Sequence, residues 1–130
     1  MKRKELVERV KAAGHLKGND EAERLLIAVI ETLGQRLYST ERKKLSSEMP
    51  GDLKEILDRR KDFSFSRENR DRFSIQEFYN RVGERAGVGH RRAQRLTGAV
   101  MSVIIDGAVS RGTMNEILKN LPEEYRILAR

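Results

Sequence analysis

Few residues of this sequence are of the types that catalyse reactions or bind metals. His15 and His90 are the only histidines, and neither lies in a motif that would let it activate a serine, threonine or lysine nucleophile. Cysteine is absent, which excludes disulfides, thiolate zinc sites and cysteine nucleophiles. No histidine or carboxylate spacing typical of a metal site is present. We therefore predict no catalytic residue, no metal, no cofactor, and a protein that is not an enzyme.

Basic residues are the stronger candidates for a binding site. Arg91, Arg92 and Arg95 follow directly after the predicted start of a long helix at His90. Cations at a helix N-terminus oppose the helix dipole by roughly 0.3–1 kcal/mol each. They either contact a phosphate or an acidic partner, or they pair with acids of another helix or lie in water. A second basic group lies in a charged segment and comprises Arg59, Arg60, Lys61, Arg67, Arg70 and Arg72.

These basic residues also indicate nucleic-acid binding as an alternative function. A short helix at residues 74–85, a glycine turn and a basic helix at His90 resemble a helix-turn-helix. The second helix is apolar over a wide face, which suits a core better than a DNA groove. The net charge of +7 arises from interleaved acids and bases, and aromatic side chains for base stacking are scarce. Gly87 and Gly89 are predicted to mark helix ends rather than to cradle phosphate.

The elements that position these residues are predicted to be helices alone. Charged residues make up 36% of the 130 residues, only two prolines occur, and apolar residues recur at helical spacing. An apolar pattern starting at Leu6 recurs about 72 positions later, and Pro50 and Pro122 fall at equivalent places. We predict an all-α, compact helical bundle within one domain, residues 1–130. Its two tandem four-helix repeats, 1–57 and 73–130, would be related by pseudo-twofold symmetry and joined by a charged linker, 58–72.

The helix ends are predicted from capping residues and breakers. Gly14 is predicted to end the first helix, whose apolar side includes Ala13, and Asn19 to cap the second. Capping-box spacing in Ser74 with Glu77 and in Thr113 with Glu116 predicts two further helix starts. Pro122 is predicted at the first position of the last helix. The long helices are expected at 20–38 and 90–109, with shorter ones at 4–13, 40–48 and through Leu53, Ile56 and Leu57. The apolar face of the first long helix is predicted to comprise Ala22, Leu25, Leu26, Val29, Ile30, Leu33 and Leu37, and that of the second Ala93, Leu96, Ala99, Val100, Val103, Ile104 and Ala108. Phe63 and Phe65 of the linker are expected to dock on the bundle.

The second half carries a recognisable set of residues. Its members are Arg72-Phe73-Ser74, Glu77-Phe78, Val82, Ala86-Gly87, Ala93, Ala99-Val100 and the sequence Leu-Pro-Glu-Glu-Tyr-Arg at residues 121–126, with Leu128. This pattern resembles a prokaryotic family of small helical proteins classed as a domain of unknown function, in which such units occur in tandem. The first copy, with Met49-Pro50-Gly51-Asp52-Leu53, matches more loosely. The resemblance implies a fold and no catalytic residue.

The predicted function follows mainly from these exclusions. No apolar stretch approaches the ~20 residues of a membrane span, and no signal peptide is readable, so we predict a cytoplasmic protein without a membrane partner. We predict a non-enzymatic protein-interaction module, in which the partner is another protein or a second copy. The alternative is a nucleic-acid-associated accessory protein that contacts phosphates through Arg91, Arg92, Arg95, Arg59, Arg60 and Lys61.

Overall fold

The described part of the chain is built from helices. The computed structural model describes residues 2–59 and 72–129, and of Arg59 only the backbone. These ranges contain seven α-helices, a final 3-10 helix and no strand, which confirms the all-α prediction. The helices are α1 (Arg3–Ala13), α2 (Asn19–Arg36), α3 (Ser39–Glu48), α4 (Gly51–Arg59), α5 (Ile75–Ala86), α6 (His90–Gly107) and α7 (Arg111–Lys119), followed by the 3-10 helix (Glu123–Ala129).

Helices α2 and α6 form the centre of the core. Helix α2 packs against α1, α4, α5 and α6, and α6 also contacts α1, α5, α7 and the 3-10 helix. Each fully buried Leu, Ile or Val side chain contributes about 1.5–3 kcal/mol. The predicted apolar face of α2 is confirmed in full, and on α6 only Ala99 and Ala108 of the predicted set are half-buried rather than buried. The buried predicted residues are Ala22, Leu25, Leu26, Val29, Ile30, Leu33, Leu37, Ala93, Leu96, Val100, Val103 and Ile104.

Helix α1 ends at Gly14 as predicted, but its predicted apolar side is wrong at one residue. Ala13 is exposed, so it does not belong to the apolar side formed by Leu6, Val7 and Val10. Gly14 follows the helix but has a φ of −90°, and the left-handed residue is His15, with a φ of 54°. A Cβ at Gly14 would lie 2.9 Å from Leu96 Cδ2, so α6 packs closely against this turn and the Leu96 side chain would have to shift for a larger residue.

Two of the predicted helix caps are wrong and one is confirmed. Ser74 caps α5, because its hydroxyl accepts a hydrogen bond from the amide of Glu77 at 3.2 Å. Gly18 rather than Asn19 precedes α2, and it offers no side-chain cap. Ser110 caps α7 by accepting from the amide of Thr113, which therefore lies inside the helix rather than at its start.

Helix α7 receives a second cap from the other half of the chain. The Glu48 carboxylate at the end of α3 accepts hydrogen bonds from the Ser110 amide, at 2.9 Å, and from the Thr113 hydroxyl. These bonds lower the pKa of Glu48 below its ordinary value. Helix α3 is thereby attached to α7 by polar groups, to which the Lys44–Glu116 ion pair adds.

The motif behind the family resemblance holds the start of α5 in place. Tyr125 is fully buried, and its hydroxyl donates to the Phe73 carbonyl at 2.7 Å, which also accepts from Arg36 Nε at 2.9 Å. The Glu124 carboxylate accepts from the Ile75 amide at 2.9 Å. The Arg36 guanidinium lies 5.0 Å from the centre of the Tyr125 ring, a cation–π contact. The 3-10 helix after Pro122, where an α-helix was expected, therefore has an architectural role.

The segment predicted as a linker begins with two helical residues. Helix α4 continues to Arg59, so the first two residues of the predicted linker are helical. Phe63 and Phe65, with their predicted docking, lie outside the described residues, as do Arg60, Lys61, Arg67 and Arg70. The two halves contain helices of similar lengths in the same order. The duplication and its pseudo-twofold symmetry stay predictions.

Candidate functional site

The two histidines are positioned by surface contacts. His90, exposed at the start of α6, lies with its Nδ1 2.6 Å from Asn80 Oδ1 and its Nε2 3.0 Å from Gln76 Oε1. Its ring also meets the edge of Tyr79. His15 is exposed in the turn after α1. Within residues 2–59 and 72–129, no three side chains of the His, Cys, Asp and Glu types come together as metal ligands would.

The three arginines at the start of α6 do not form one free patch. Arg92 pairs with Glu21 of α2, with 2.8 Å between guanidinium nitrogen and carboxylate oxygen, although such a half-exposed pair contributes only about 0–1 kcal/mol. Arg95 donates to the Gly14 carbonyl at 3.2 Å, which satisfies a backbone acceptor at the end of α1. Arg91 is exposed. Two of the three cations therefore connect the halves of the fold.

The linker cations give a different result. Arg72, the linker cation in the second described range, lies with its guanidinium 5.9 Å from the centre of the Tyr38 ring. The side chain of Arg59 and all of Arg60 and Lys61 lie outside the described structure. Phosphate contacts by these residues therefore stay a prediction.

A groove between α3 and α4 brings together polar residues that the sequence did not single out. It has a volume of about 600 Å³ and is open to solvent. Helix α3 contributes a stripe at positions i, i+3, i+4, i+7 and i+8, which is one face of a helix. The described lining residues are Ser39, Arg42, Lys43, Ser46, Ser47, Lys54 and Asp58. Three cations thus line the groove with one carboxylate, which suits the groove to an anion. The hydroxyl groups of Ser46 and Ser47 already donate, to Asp58 Oδ1 and to the Lys44 carbonyl.

Arg42 is a buried cation in the wall of this groove. Its side chain is only 8% exposed, and its Nη1 lies 3.5 Å from the Gly34 carbonyl. Burial lowers the pKa of the guanidinium from its ordinary value, and the charge of Asp58 partly offsets that effect. A partly desolvated guanidinium stabilises an anion more strongly than one in water, because charges are screened less there.

Ser46 connects the two walls of the groove. It is 5% exposed and its hydroxyl donates to Asp58 Oδ1 at 3.3 Å, which joins α3 to the last turn of α4. Lys43 and Lys54 are exposed on opposite walls. The site therefore has a buried part, Arg42 with Ser46, and a solvent-facing part that offers two lysines.

The surface between α1 and α2 contains two shallower grooves, but their charges are compensated. Arg3 pairs with both Glu23 and Asp52, all three lining one of these grooves. The other, of about 450 Å³, contains Glu8 and Lys11 together with apolar side chains. Neither offers the excess of donors found between α3 and α4.

The fold and the groove together define the class of this protein. It is an all-α protein with a cationic groove, which serine hydroxyl groups also line, between two short helices. In the described residues, no helix has both the length and the apolar character needed to cross a membrane. The chain belongs to the family described as "Uncharacterized conserved protein (DUF2267)", whose model matches residues 3–128. The match confirms the resemblance to a domain-of-unknown-function family. Comparison with curated proteins finds no match.

Proposed function

We propose that this protein is a non-enzymatic interaction module that binds an acidic segment of a partner protein in the groove between α3 and α4. The observation that carries the proposal is the excess of cations over carboxylates along this groove, in which Arg42, Lys43 and Lys54 line the same space as Asp58. Electrostatic complementarity of this kind gives specificity and a fast association rate. None of the described lining residues is a histidine, so these residues include no imidazole that could accept a proton from a serine hydroxyl near pH 7.

A peptide is favoured over nucleic acid by the shape and lining of the groove. A protein reads a DNA duplex with a helix or strand that projects into a groove of the DNA, whereas the site between α3 and α4 is itself concave. Single strands bind on aromatic side chains, and the described lining residues include none. Two of the arginines on which the nucleic-acid alternative depends are engaged with Glu21 and with the Gly14 carbonyl. Arg91 still supports that alternative, and self-association stays a prediction.

Binding of a fluorescein-labelled oligo-glutamate peptide, followed by fluorescence anisotropy, tests the proposal. We expect saturable binding by the native protein and a loss of several-fold in affinity in the variants Lys43→Glu and Lys54→Glu. Lys17→Glu is the matched control, because Lys17 is exposed in the turn before α2 and is not among the groove residues. An equal loss in all three variants would show a non-specific charge effect and contradict the groove.

A mixed-sequence DNA duplex in the same assay, measured over a series of salt concentrations, tests the alternative. Phosphate contacts give an affinity that falls linearly with salt on logarithmic axes. Tight duplex binding that is weakened by Arg91→Ala, together with no binding of the peptide, would replace the proposal by the nucleic-acid function. Peptide binding without duplex binding supports the interaction module.

A further inference from the structure

Asp58 is unusual in its position within α4. It lies in the last turn of that helix that the structure describes, towards the negative end of the helix dipole, which disfavours a carboxylate. It is also the one acidic residue among the described lining residues of the groove. The contacts of Asp58 indicate a role for it in this groove.

Those contacts are with the buried part of the groove. Ser46, 5% exposed, donates a hydrogen bond to Asp58 Oδ1, and Arg42, 8% exposed, experiences the charge of the same carboxylate. Arg42, Ser46 and Asp58 line the same groove, and guanidinium and hydroxyl groups are donors that also bind the carboxylate of a partner protein. At 3.3 Å, the bond from Ser46 is longer than the usual O–H···O distance of about 2.7–2.8 Å.

We propose that Asp58 occupies a carboxylate subsite formed by Arg42 and Ser46, and that a glutamate or aspartate of the acidic partner displaces it. This inference rests on the proposed function and names its anchoring point. Asp58 is an intramolecular competitor, whose removal exposes the subsite. Its long hydrogen bond and its exposure to solvent make exchange inexpensive, because the displaced carboxylate can be hydrated. The exposed Lys43 and Lys54 hold further acidic side chains of the same segment.

The variant Asp58→Asn tests this by a gain of affinity. We expect oligo-glutamate to bind about two- to fivefold more tightly, the size of effect that one exposed charge pair produces. Glu55→Gln is the matched control, because Glu55 is exposed on α4, makes the same change in net charge and is not among the groove residues. Introduced into the native protein, Ser46→Ala should weaken binding of the peptide. Introduced together with Asp58→Asn, it should remove part of the gain in affinity.

The possible outcomes separate this inference from the proposed function. If Glu55→Gln strengthens binding as much as Asp58→Asn, net charge explains the gain and the subsite is refuted. If the lysine variants lose binding while Asp58→Asn leaves it unchanged, the groove binds the peptide but Asp58 is no competitor. If no protein binds the peptide, the proposed function itself fails. Circular dichroism of each variant establishes that it is folded, and if Ser46→Ala is not, the comparison of Asp58→Asn with Glu55→Gln alone decides the inference.

Discussion

Replacing Tyr125 by phenylalanine should change stability with a sign that depends on pH. Near neutral pH the variant loses the hydrogen bond from the phenol to the Phe73 carbonyl, at a cost of about 1 kcal/mol. The cost stays small because this carbonyl keeps its bond from Arg36. Burial raises the pKa of Tyr125 to about 12, although the nearby Arg36 charge opposes the shift.

The alkaline range reverses the effect. Below about pH 10, the ordinary pKa of tyrosine, both states keep the proton and the native protein has its full stability. Above it the unfolded chain releases the proton while the folded one retains it. The native protein then loses about 1.4 kcal/mol per pH unit until the folded pKa is reached. The variant has no such loss, so the two stabilities should become equal between about pH 10.5 and 11.

Urea unfolding of both proteins, at matched pH from neutral to about pH 11, measures this difference. The pKa of Tyr79 is also raised by burial, but Tyr79 is present in both proteins and cancels. The difference in tyrosinate absorbance between the folded native protein and the folded variant follows the ionisation of Tyr125, because the other two tyrosines are present in both. A difference in unfolding free energy that stays constant across this range would refute the argument, because it would mean that the phenol ionises as easily in the folded protein as in the unfolded chain.

Three further predictions concern stability. Val100→Asp should abolish cooperative thermal unfolding, because it buries an unpaired charge in the core, whereas Ser102→Asp on the exposed side of the same helix should melt close to the native protein. Gly83→Ala should destabilise the protein by about 1–3 kcal/mol, because the new Cβ would lie 2.7 Å from a backbone carbonyl oxygen. Gly98→Ala should stabilise it by about 0.5–1 kcal/mol, because Gly98 lies in a helix with open space around it. Urea unfolding that gave both variants the same sign would contradict this. Glu48→Gln should lower the melting temperature above about pH 5 and have less effect in acid. Folding lowers the pKa of Glu48, so the stabilisation that its carboxylate provides is lost as the pH falls through the pKa of the folded state. An equal effect at all pH values would rule this out.

The long helices and most of the core could be predicted from the sequence because their information is local. In α2 and α6 the apolar residues repeat at helical spacing over five turns, and no neighbouring element changes that pattern. The helix starts were less predictable. Thr113 has capping-box spacing with Glu116, but Ser110 has an equally suitable hydroxyl, and Glu48 binds the amide and hydroxyl groups of this turn from the other half.

The candidate site could not be predicted in the same way, because it depends on how two short helices cross. Ser39, Arg42, Lys43, Ser46 and Ser47 already showed the spacing of one helix face, and that signal could have been used. Nothing local indicates that α4 supplies the opposite wall. Similarly, the partner of Arg92 is 71 positions away, so spacing along the chain could not distinguish a free cation from a paired one.

The attachment of the 3-10 helix to the start of α5 has a consequence for synthesis on the ribosome. The Ile75 amide and the Phe73 carbonyl obtain their partners from Glu124 and Tyr125, about 50 positions later in the chain. While the nascent chain is extended, α5 emerges with these groups bonded to water. The second half therefore completes its fold only after the Leu-Pro-Glu-Glu-Tyr-Arg sequence has left the exit tunnel, so emergence of this sequence, rather than of the core helices, sets the time at which the start of α5 is held in place.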